Sequence, residues 1–226
     1  MNVLDKKAVR ALFSKTDRAV YISHLDLMRT MQRAMKRSGI PIWYSEGFNP
    51  RAYLNFPLAL SLGIIGKCEP VDFYITEEIS FDEIRDRLNS ALPAGIRITD
   101  VYSPVNTNKD IFYAEYRITV RCEGADAAEL LTEFFGRDEL IVMKHSKKRG
   151  MISLDIKKFC EVRGISDSGE NSAVLDIILP AGNEMNINAG AVTDSFAAFC
   201  SEKNTEAEIL YTERTKILCD GFAQFV

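Results

Sequence analysis

The sequence predicts an α+β protein built from two ferredoxin-like halves, each with antiparallel strands in the order β-α-β-β-α-β. Three observations support this prediction. Segments with apolar residues at every second position alternate along the chain with amphipathic segments that carry helix-start signals. The polar segment 103–110 interrupts the pattern, and the same order of elements then repeats once. We therefore expect two domains, over residues 1–104 and 105–226.

The first half contains four predicted strands and two predicted helices. Alternation is clearest in residues 54–62, where Leu or Phe occupies five alternate positions on one expected face. Pro57 indicates an edge strand or a bulge because proline has no backbone N–H. Ser23 and Ser80 provide cap residues for the two helices. In chain order we expect a strand that starts at residue 9, turns around residues 15–18 and continues briefly through residues 20–22, a helix at 24–38, strands at 54–62 and 71–75, a helix from 81 that ends before Pro93, and a strand at 96–102.

The second half repeats this order after the polar linker. Its helices are indicated by apolar residues three and four positions apart, and its strands by short alternating or continuous apolar runs. In chain order we expect a strand at 111–122, a helix at 125–135, strands at 140–143, 152–157 and 173–179, a helix at 189–200 and a strand at 207–219. Apart from one hairpin, each half therefore matches the ferredoxin-like order.

Composition and cysteine spacing argue against several classes of protein. The chain contains no run near the roughly 18–20 apolar residues that cross a bilayer, and its first ten residues lack the apolar segment of a signal peptide. The five cysteines show no CxxC spacing, so we expect neither a disulfide framework, a zinc ribbon nor an iron–sulfur cluster. We therefore expect a cytoplasmic protein with no membrane partner and no cofactor bound by this chain.

The predicted helix at 24–38 has one charged face and one apolar face. At 100° per residue, four cationic side chains fall within roughly a 100° arc. These are Arg29, Arg33, Lys36 and Arg37. Residues 1–67 carry 11 Lys or Arg against four Asp or Glu, a net charge of +7, whereas residues 68–226 carry 17 against 28, a net of −11. A basic helix face is often only solvated surface, but this concentration in an acidic protein favours a polyanionic ligand or an acidic partner.

The segment WYSEGFNPR, at residues 43–51, predicts an aromatic loop after that helix. Gly47 and the Asn49–Pro50 pair are turn signals. Aromatic rings in such a loop can stack on unpaired bases, and an arginine can contact a phosphate. The alternative is that the rings only cover the end of the sheet. The candidate nucleic-acid contacts are Trp43, Tyr44, Phe48 and Arg51.

A second basic segment, KHSKKRG at residues 144–150, is predicted in a hairpin loop between two short strands. A charged hairpin tip is commonly a plain exposed turn. In a duplicated fold, two basic segments can also face one groove and contact the same nucleic acid. The candidate contacts here are Lys147, Lys148 and Arg149.

His24 is a candidate general acid or base because it starts the basic helix, where the helix dipole also favours a phosphate. The alternative is a structural histidine that packs against the end of the sheet and bonds to backbone. By analogy of fold alone, CRISPR-repeat-processing endoribonucleases with tandem ferredoxin-like domains often place a catalytic histidine near the first helix. Metal-independent RNA cleavage also needs a second acid or base and a cation. The candidates for these roles are Tyr21, Tyr44 and Arg29.

Residues 21–63 resemble the hallmark segment of the radical-SAM-linked family, whose members are encoded beside a radical SAM protein or fused after one. The family pattern is similar to YISHLDLMR, a basic helix, YSEGFNP and a leucine-rich segment ending in glycine. A weaker resemblance covers KKRGMISLDIKKF, through Lys147, Lys148, Asp155 and Lys157. Arg51 followed by Ala52 departs from the family pattern, in which a histidine- or proline-containing sequence is expected. The resemblance extends over about residues 9–103 and implies a partner that carries the radical SAM cluster.

Three functions from different classes are compatible with these patterns. The first is an RNA-binding or substrate-presenting accessory of a radical SAM enzyme that modifies structured or single-stranded RNA, without catalytic residues of its own. The second is a metal-independent endoribonuclease centred on His24. The third is a protein-interaction module whose basic face docks an acidic partner. Salt-dependent RNA binding separates the first two from the third, and a 2′,3′-cyclic phosphate product identifies the second.

Overall fold

The computed structural model describes residues 6–146, 150–182 and 185–226. It has a mixed architecture with four α-helices and nine β-strands in these ranges, so the predicted α+β class is confirmed. The chain forms two compact units. The first ends at Asn108 and also contains Val226, and the second extends from Lys109 to Phe225. No helix in the described ranges is both long enough and apolar enough to cross a membrane.

The first unit contains three strands and two helices, which are β1 (Lys7–Lys15), α1 (His24–Ser38), β2 (Ile65–Ile75), α2 (Phe81–Ala91) and β3 (Ile96–Tyr102). β1 is the central strand and pairs antiparallel with both others, so the strand order is β3-β1-β2. The apolar faces of both helices share one core with the strands. Fully buried members of this core include Val9, Phe13, Met31, Phe73 and Ile84.

The predicted strand at 54–62 is wrong. These residues are irregular, and only Asn55 forms a bridge, with Asp72 of β2. Pro57 cannot donate a ladder hydrogen bond, and the chain turns at Gly63, whose φ is +81° and whose N–H donates to the carbonyl of Val20 at 2.9 Å. The alternating residues do not share a face, because Leu60 is buried whereas Leu62 is 64% exposed. Alternation here reflects local composition rather than strand pairing.

The second unit contains a four-stranded antiparallel sheet in the order β9-β4-β8-β7 and a separate two-stranded hairpin, β5-β6. Setting that hairpin aside, the element order is β-α-β-β-α-β. The core between the helices contains a group of rings, with Phe134 packed against Phe196 and Phe199. The elements are β4 (Tyr113–Cys122), α3 (Ala127–Gly136), β5 (Ile141–Ser146), β6 (Gly150–Asp155), β7 (Glu161–Gly169), β8 (Ser172–Pro180), α4 (Ala189–Glu202) and β9 (Ala207–Leu218).

The sequence pattern missed β7, which lies at the end of the strand order. Most of its residues are exposed, so it lacks the alternation that a strand with one buried face would show. The predicted strand at 152–157 is β6, which lies two residues nearer the N-terminus. The other strands and both helices predicted for this half are present, with small shifts at their ends.

Candidate nucleic-acid interface

Helix α1 begins and ends where its cap residues predict. The backbone N–H of Asp26 donates to Ser23 Oγ at 3.1 Å, and that hydroxyl donates to the Asp26 carboxylate at 2.8 Å. The carboxylate therefore bonds the cap hydroxyl instead of the cap N–H that a reciprocal capping box would use. At the other end, Gly39 adopts the left-handed conformation with φ +67°. The predicted bounds, His24–Ser38, are confirmed.

The four cations of α1 have different surroundings. Arg29 is 57% exposed and forms an ion pair with Asp26 at 3.4 Å. Arg33 and Lys36 are exposed and have no hydrogen bond or ion pair with any residue that the structure describes. Arg37 Nη2 donates to the carbonyl of Ala91 at 2.6 Å and so satisfies a free carbonyl at the end of α2. Three of the four cations are therefore available to a ligand, whereas Arg37 also contributes to the fold.

Residues 43–53 form a narrow loop, named here the aromatic loop. The N–H of Ser45 donates to the carbonyl of Arg51 at 2.8 Å, and the N–H of Arg51 donates to Ser45 Oγ at 3.1 Å. Gly47 at the turn has φ +121°, which strongly favours glycine. Phe48 lies fully exposed at the tip, Tyr44 is 40% exposed, and Arg51 is exposed. The loop thus presents rings and a cation to solvent.

Trp43 differs from the other rings of this loop. It is only half-buried, but the Lys6 ammonium lies 3.8 Å from its ring centroid. Tyr53 and Tyr74 contact its edges with centroid distances of 5.9 and 6.1 Å. Cation–π and edge contacts of this kind hold the indole in place. Trp43 is therefore a supporting ring at the base of the loop.

Two contacts attach this region to one side of α1. Gln32 Nε2 donates to the carbonyl of Ala52 at 3.3 Å, and the His24 ring meets the ring of Phe56 edge-on at 5.2 Å. Gln32 is three positions after Arg29 and four before Lys36, so it is a neighbour of both side chains on the helix surface. The aromatic loop is therefore anchored beside the basic face. Sequence analysis did not identify Gln32, because a single amide on a helix carries no distinctive signal.

His24 is exposed, and its ring contacts the ring of Phe56, which packs against the core of the first unit. It makes no hydrogen bond to another described residue, so no partner fixes its tautomer in the way that a catalytic dyad or triad would. Tyr21 lies at the end of a short 3-10 helix and is 74% exposed. The structure thus places both candidate catalytic groups at the surface near the start of α1.

A buried lysine positions the segment that leads into α1. Lys15 Nζ donates to the carbonyls of Val20 and Ile22, each at 3.2 Å. Burial lowers the pKa of Lys15, while the negative charge of buried Glu69 opposes that change. This charge therefore fixes the backbone immediately before Ser23. The sequence pattern predicts a turn at Lys15, whereas this residue ends β1 and its side chain is buried.

Asp155 and Lys157, in the later segment that carries the weaker resemblance, support the fold. Asp155 Oδ1 accepts the N–H groups of Lys157 at 3.0 Å and Leu140 at 2.9 Å, and these bonds lower the pKa of the carboxyl group. Lys157 Nζ donates to the carbonyl of Phe135 in the last turn of α3. Both residues therefore fix the ends of elements. The candidate contacts Lys147, Lys148 and Arg149 lie outside the described residues.

Within residues 6–146, 150–182 and 185–226, no group of three or more His, Cys, Asp and Glu side chains is arranged to hold a metal ion.

Comparison with known proteins gives one family relationship. None of the curated proteins compared with the chain matches it. One solved structure, described as "Crystal Structure of an Unknown Protein from Galdieria sulphuraria", is 12% identical, with 91% of this chain and 98% of that chain covered and a TM-score of 0.27. A family model described as "Uncharacterized protein conserved in bacteria (DUF2344)" matches residues 8–189, which is most of the chain, so the chain belongs to this family.

Proposed function

We propose that this protein binds RNA through α1 and the aromatic loop, as an RNA-binding or substrate-presenting accessory of a radical SAM enzyme that modifies RNA. The observation that carries the proposal is the juxtaposition of exposed cations on α1 with an anchored loop whose tip exposes Phe48. Cations that track phosphates and rings that stack on bases are the two components of single-stranded nucleic-acid sites.

The exposure of Phe48 supports a ligand rather than plain solvated surface. Burying a phenylalanine side chain is worth about 1.5–3 kcal/mol, and the free protein forgoes this at the loop tip. The loop hydrogen bonds and the φ of Gly47 fix the turn that places the ring there. A base stacked on the ring would recover part of this free energy.

The radical SAM partner is proposed from the resemblance of residues 21–63 to the radical-SAM-linked family. Exposed apolar side chains near the start of α1 support a protein contact in this region, namely Tyr21, Leu25 and Leu62. We also infer that both units follow the ferredoxin-like order. This is supported by the strand order of the second unit, and in the first unit by the Asn55 bridge beside β2, where a further strand is expected.

An anisotropy titration of a fluorescent single-stranded RNA tests the binding proposal. Arg33→Glu should lower affinity by an order of magnitude or more and flatten the salt dependence by about 0.7 per lost phosphate contact. Arg97→Glu is the matched control, because Arg97 is an exposed residue of β3, away from α1. Affinity that is undetectable, indifferent to salt, or equally reduced by both reversals would favour docking of an acidic protein.

The partner requires a separate test. Co-purification of the chain with the proteins encoded beside it, followed by sequencing of any RNA retained, should yield a radical SAM protein as the partner and a restricted set of RNAs. Recovery of the partner without RNA would leave the protein-interaction module as the better account.

A second candidate, the endoribonuclease, is favoured by the exposed imidazole in the first turn of α1, the helix that carries the basic face. We expect that the isolated wild-type protein does not cleave RNA, so that His24→Ala has no cleavage activity to abolish. The endoribonuclease would become the preferred function if the wild type cleaves RNA with multiple turnover and leaves a 2′,3′-cyclic phosphate. His24→Ala should then lack this activity at an unchanged Tm.

A further inference from the structure

The second unit contains a cleft that is unrelated to α1. Its volume is about 680 Å³, and the described residues that line it all belong to this unit. The walls come from the residues before and at the start of β4, the segment that enters β7, the end of β8 with the residues after it, and the 3-10 helix Asp220–Phe222. This volume is in the range of small-molecule sites, about 300–1,000 Å³.

Aromatic rings dominate the walls. Four of the 13 described lining residues are Phe or Tyr, whereas aromatic residues make up 10% of the whole chain. Three of these rings are more exposed than large apolar side chains usually are, namely Phe112, Phe159 and Phe222. The floor of the cleft is aliphatic and buried, and it is formed by Ile111 and Ile178. Such a lining suits a flat ring better than a flexible alkyl chain.

Phe222 is held against the cleft at a conformational cost. Its φ is +62°, which is rare for a bulky residue. The ring lies 4.9 Å from the Tyr113 ring, and the Arg163 guanidinium lies 5.0 Å from its centroid. At Gly182 the backbone approaches Ile111 so closely that only glycine fits, because a Cβ there would lie 2.6 Å from the carbonyl oxygen of Ile111. The backbone is thus closely fitted around the cleft, and strain of this kind concentrates at functional sites.

The described residues that line the cleft carry more positive than negative charge, although the second unit is acidic overall. Lys109 and Lys158 both line it and are exposed, and neither has an ion pair with a described residue. Among the described residues that line the cleft, the one acidic residue is Glu161, which forms an ion pair with Arg163 at 2.7 Å. Two exposed ammonium groups beside an apolar, ring-lined floor complement a ligand with a flat ring and an anionic group.

The thiol in the cleft does not suggest covalent chemistry. Burial raises the pKa of Cys160, so the group is a neutral thiol near neutral pH and a poor nucleophile. The cleft is therefore suited to binding rather than to group transfer.

We propose that this cleft binds a mononucleotide, with the base among Phe112, Tyr113 and Phe222 and the phosphate at Lys109 and Lys158. The site goes beyond the proposed RNA-binding function and shares no residue with it. A ligand here would give the second unit a binding role of its own.

Calorimetric titration of the full-length protein with AMP, GMP, CMP and UMP tests the proposal. We expect at least one of them to bind with a Kd below about 1 mM, and the corresponding nucleoside to bind at least tenfold more weakly. Octanoate, an aliphatic anion, should bind more weakly than the nucleotide. Absence of binding by all four nucleotides, or tighter binding of octanoate, would overturn the assignment.

Variants locate the site. Phe222→Gly removes the ring but suits φ +62°, so it should reduce affinity about tenfold without lowering Tm. Lys158→Glu should reduce nucleotide affinity by at least the same factor, while Arg97→Glu should leave it unchanged. Loss of nucleotide binding in Arg33→Glu but not in Phe222→Gly would place the nucleotide on α1 and reject the cleft. Because these titrations contain no RNA, their failure leaves the RNA-binding proposal to its own test.

Discussion

Individual cations of this protein divide into those that support the fold and those that are free to bind a ligand. Arg37 satisfies the end of α2 and Lys15 fixes the entry to α1, whereas Arg33 and Lys36 contact no polar partner among the described residues. The distinction matters because a side chain bonded within the fold contributes to stability, whereas an exposed and unpaired one contributes almost nothing. Affinity for a ligand and stability should therefore respond to different arginines of the same helix face.

We predict that Arg37→Ala lowers stability and that Arg33→Ala does not. Removing the bond from Arg37 to the Ala91 carbonyl should cost about 0.5–1 kcal/mol, since an exposed bond from a charged donor is of modest strength. Urea denaturation of both variants at the same salt concentration checks this. Equal midpoints for the two variants would mean that the Arg37 bond contributes nothing in solution.

The buried thiols predict a loss of stability at alkaline pH. Burial and the neighbouring Cys122 raise the pKa of Cys200 to about 12, against about 8.5 in an unfolded chain. Above pH 8.5 the unfolded chain loses a proton that the folded protein keeps, so stability is intact below that pH and falls as pH rises towards 12. The slope attributable to one thiol is at most about 1.4 kcal/mol per pH unit.

Cys200→Ala should therefore lose less stability than the wild type between pH 8 and pH 10.5. Urea midpoints measured under reducing conditions at both pH values provide the comparison. Cys160→Ala is a useful contrast, because it removes a less buried thiol. An identical pH dependence in wild type and Cys200→Ala would show that other groups cause the alkaline loss.

At the scale of elements, sequence patterns predicted the helices and strands that have signals in their own or adjacent residues. They failed for segments whose structure depends on tertiary contacts. The bounds of α1 follow from Ser23 and Gly39, which lie next to the helix itself. The segment 54–62 has strand-like alternation, but Pro57 and the turn at Gly63 prevent pairing. β7 is formed by pairing with β8 and has few buried residues of its own. The basic face could be found from helical periodicity, whereas the contact of Lys6 with Trp43 joins positions far apart in sequence.

The aromatic loop carries the clearest prediction at this scale. Phe48→Ala should weaken binding of single-stranded RNA by about 1–3 kcal/mol, the contribution of one stacked base, because Phe48 contacts little of the protein itself. Its Tm should stay unchanged for the same reason. Phe48→Trp, which keeps a stacking ring, is the matched control and should retain affinity. An RNA affinity that is the same in Phe48→Ala and wild type would exclude the loop tip from the interface.

At the scale of the whole molecule, charge is distributed unevenly along the chain. Residues 1–67 carry a net charge of +7 and residues 68–226 a net of −11. The basic stretch includes α1 and the aromatic loop, so the field should favour approach of a polyanion to that region and disfavour it over most of the acidic remainder. This asymmetry provides the orientation that an accessory needs if it presents RNA to a separate enzyme.

Cross-linking should reveal this orientation directly. RNA that contains 4-thiouridine, irradiated with the full-length protein at moderate salt, should form adducts in peptides from residues 24–53, with Tyr44 and Phe48 as the preferred acceptors because their rings are exposed. Raising the salt to about 1 M shortens the Debye length to about 3 Å and should remove most adducts. Adducts at 144–158 in addition to 24–53 would mean that both units contact one RNA, as the basic segment at 144–150 predicts. Adducts confined to residues 109–225 would contradict the proposed interface, because the acidic unit would then hold the RNA against its own net charge.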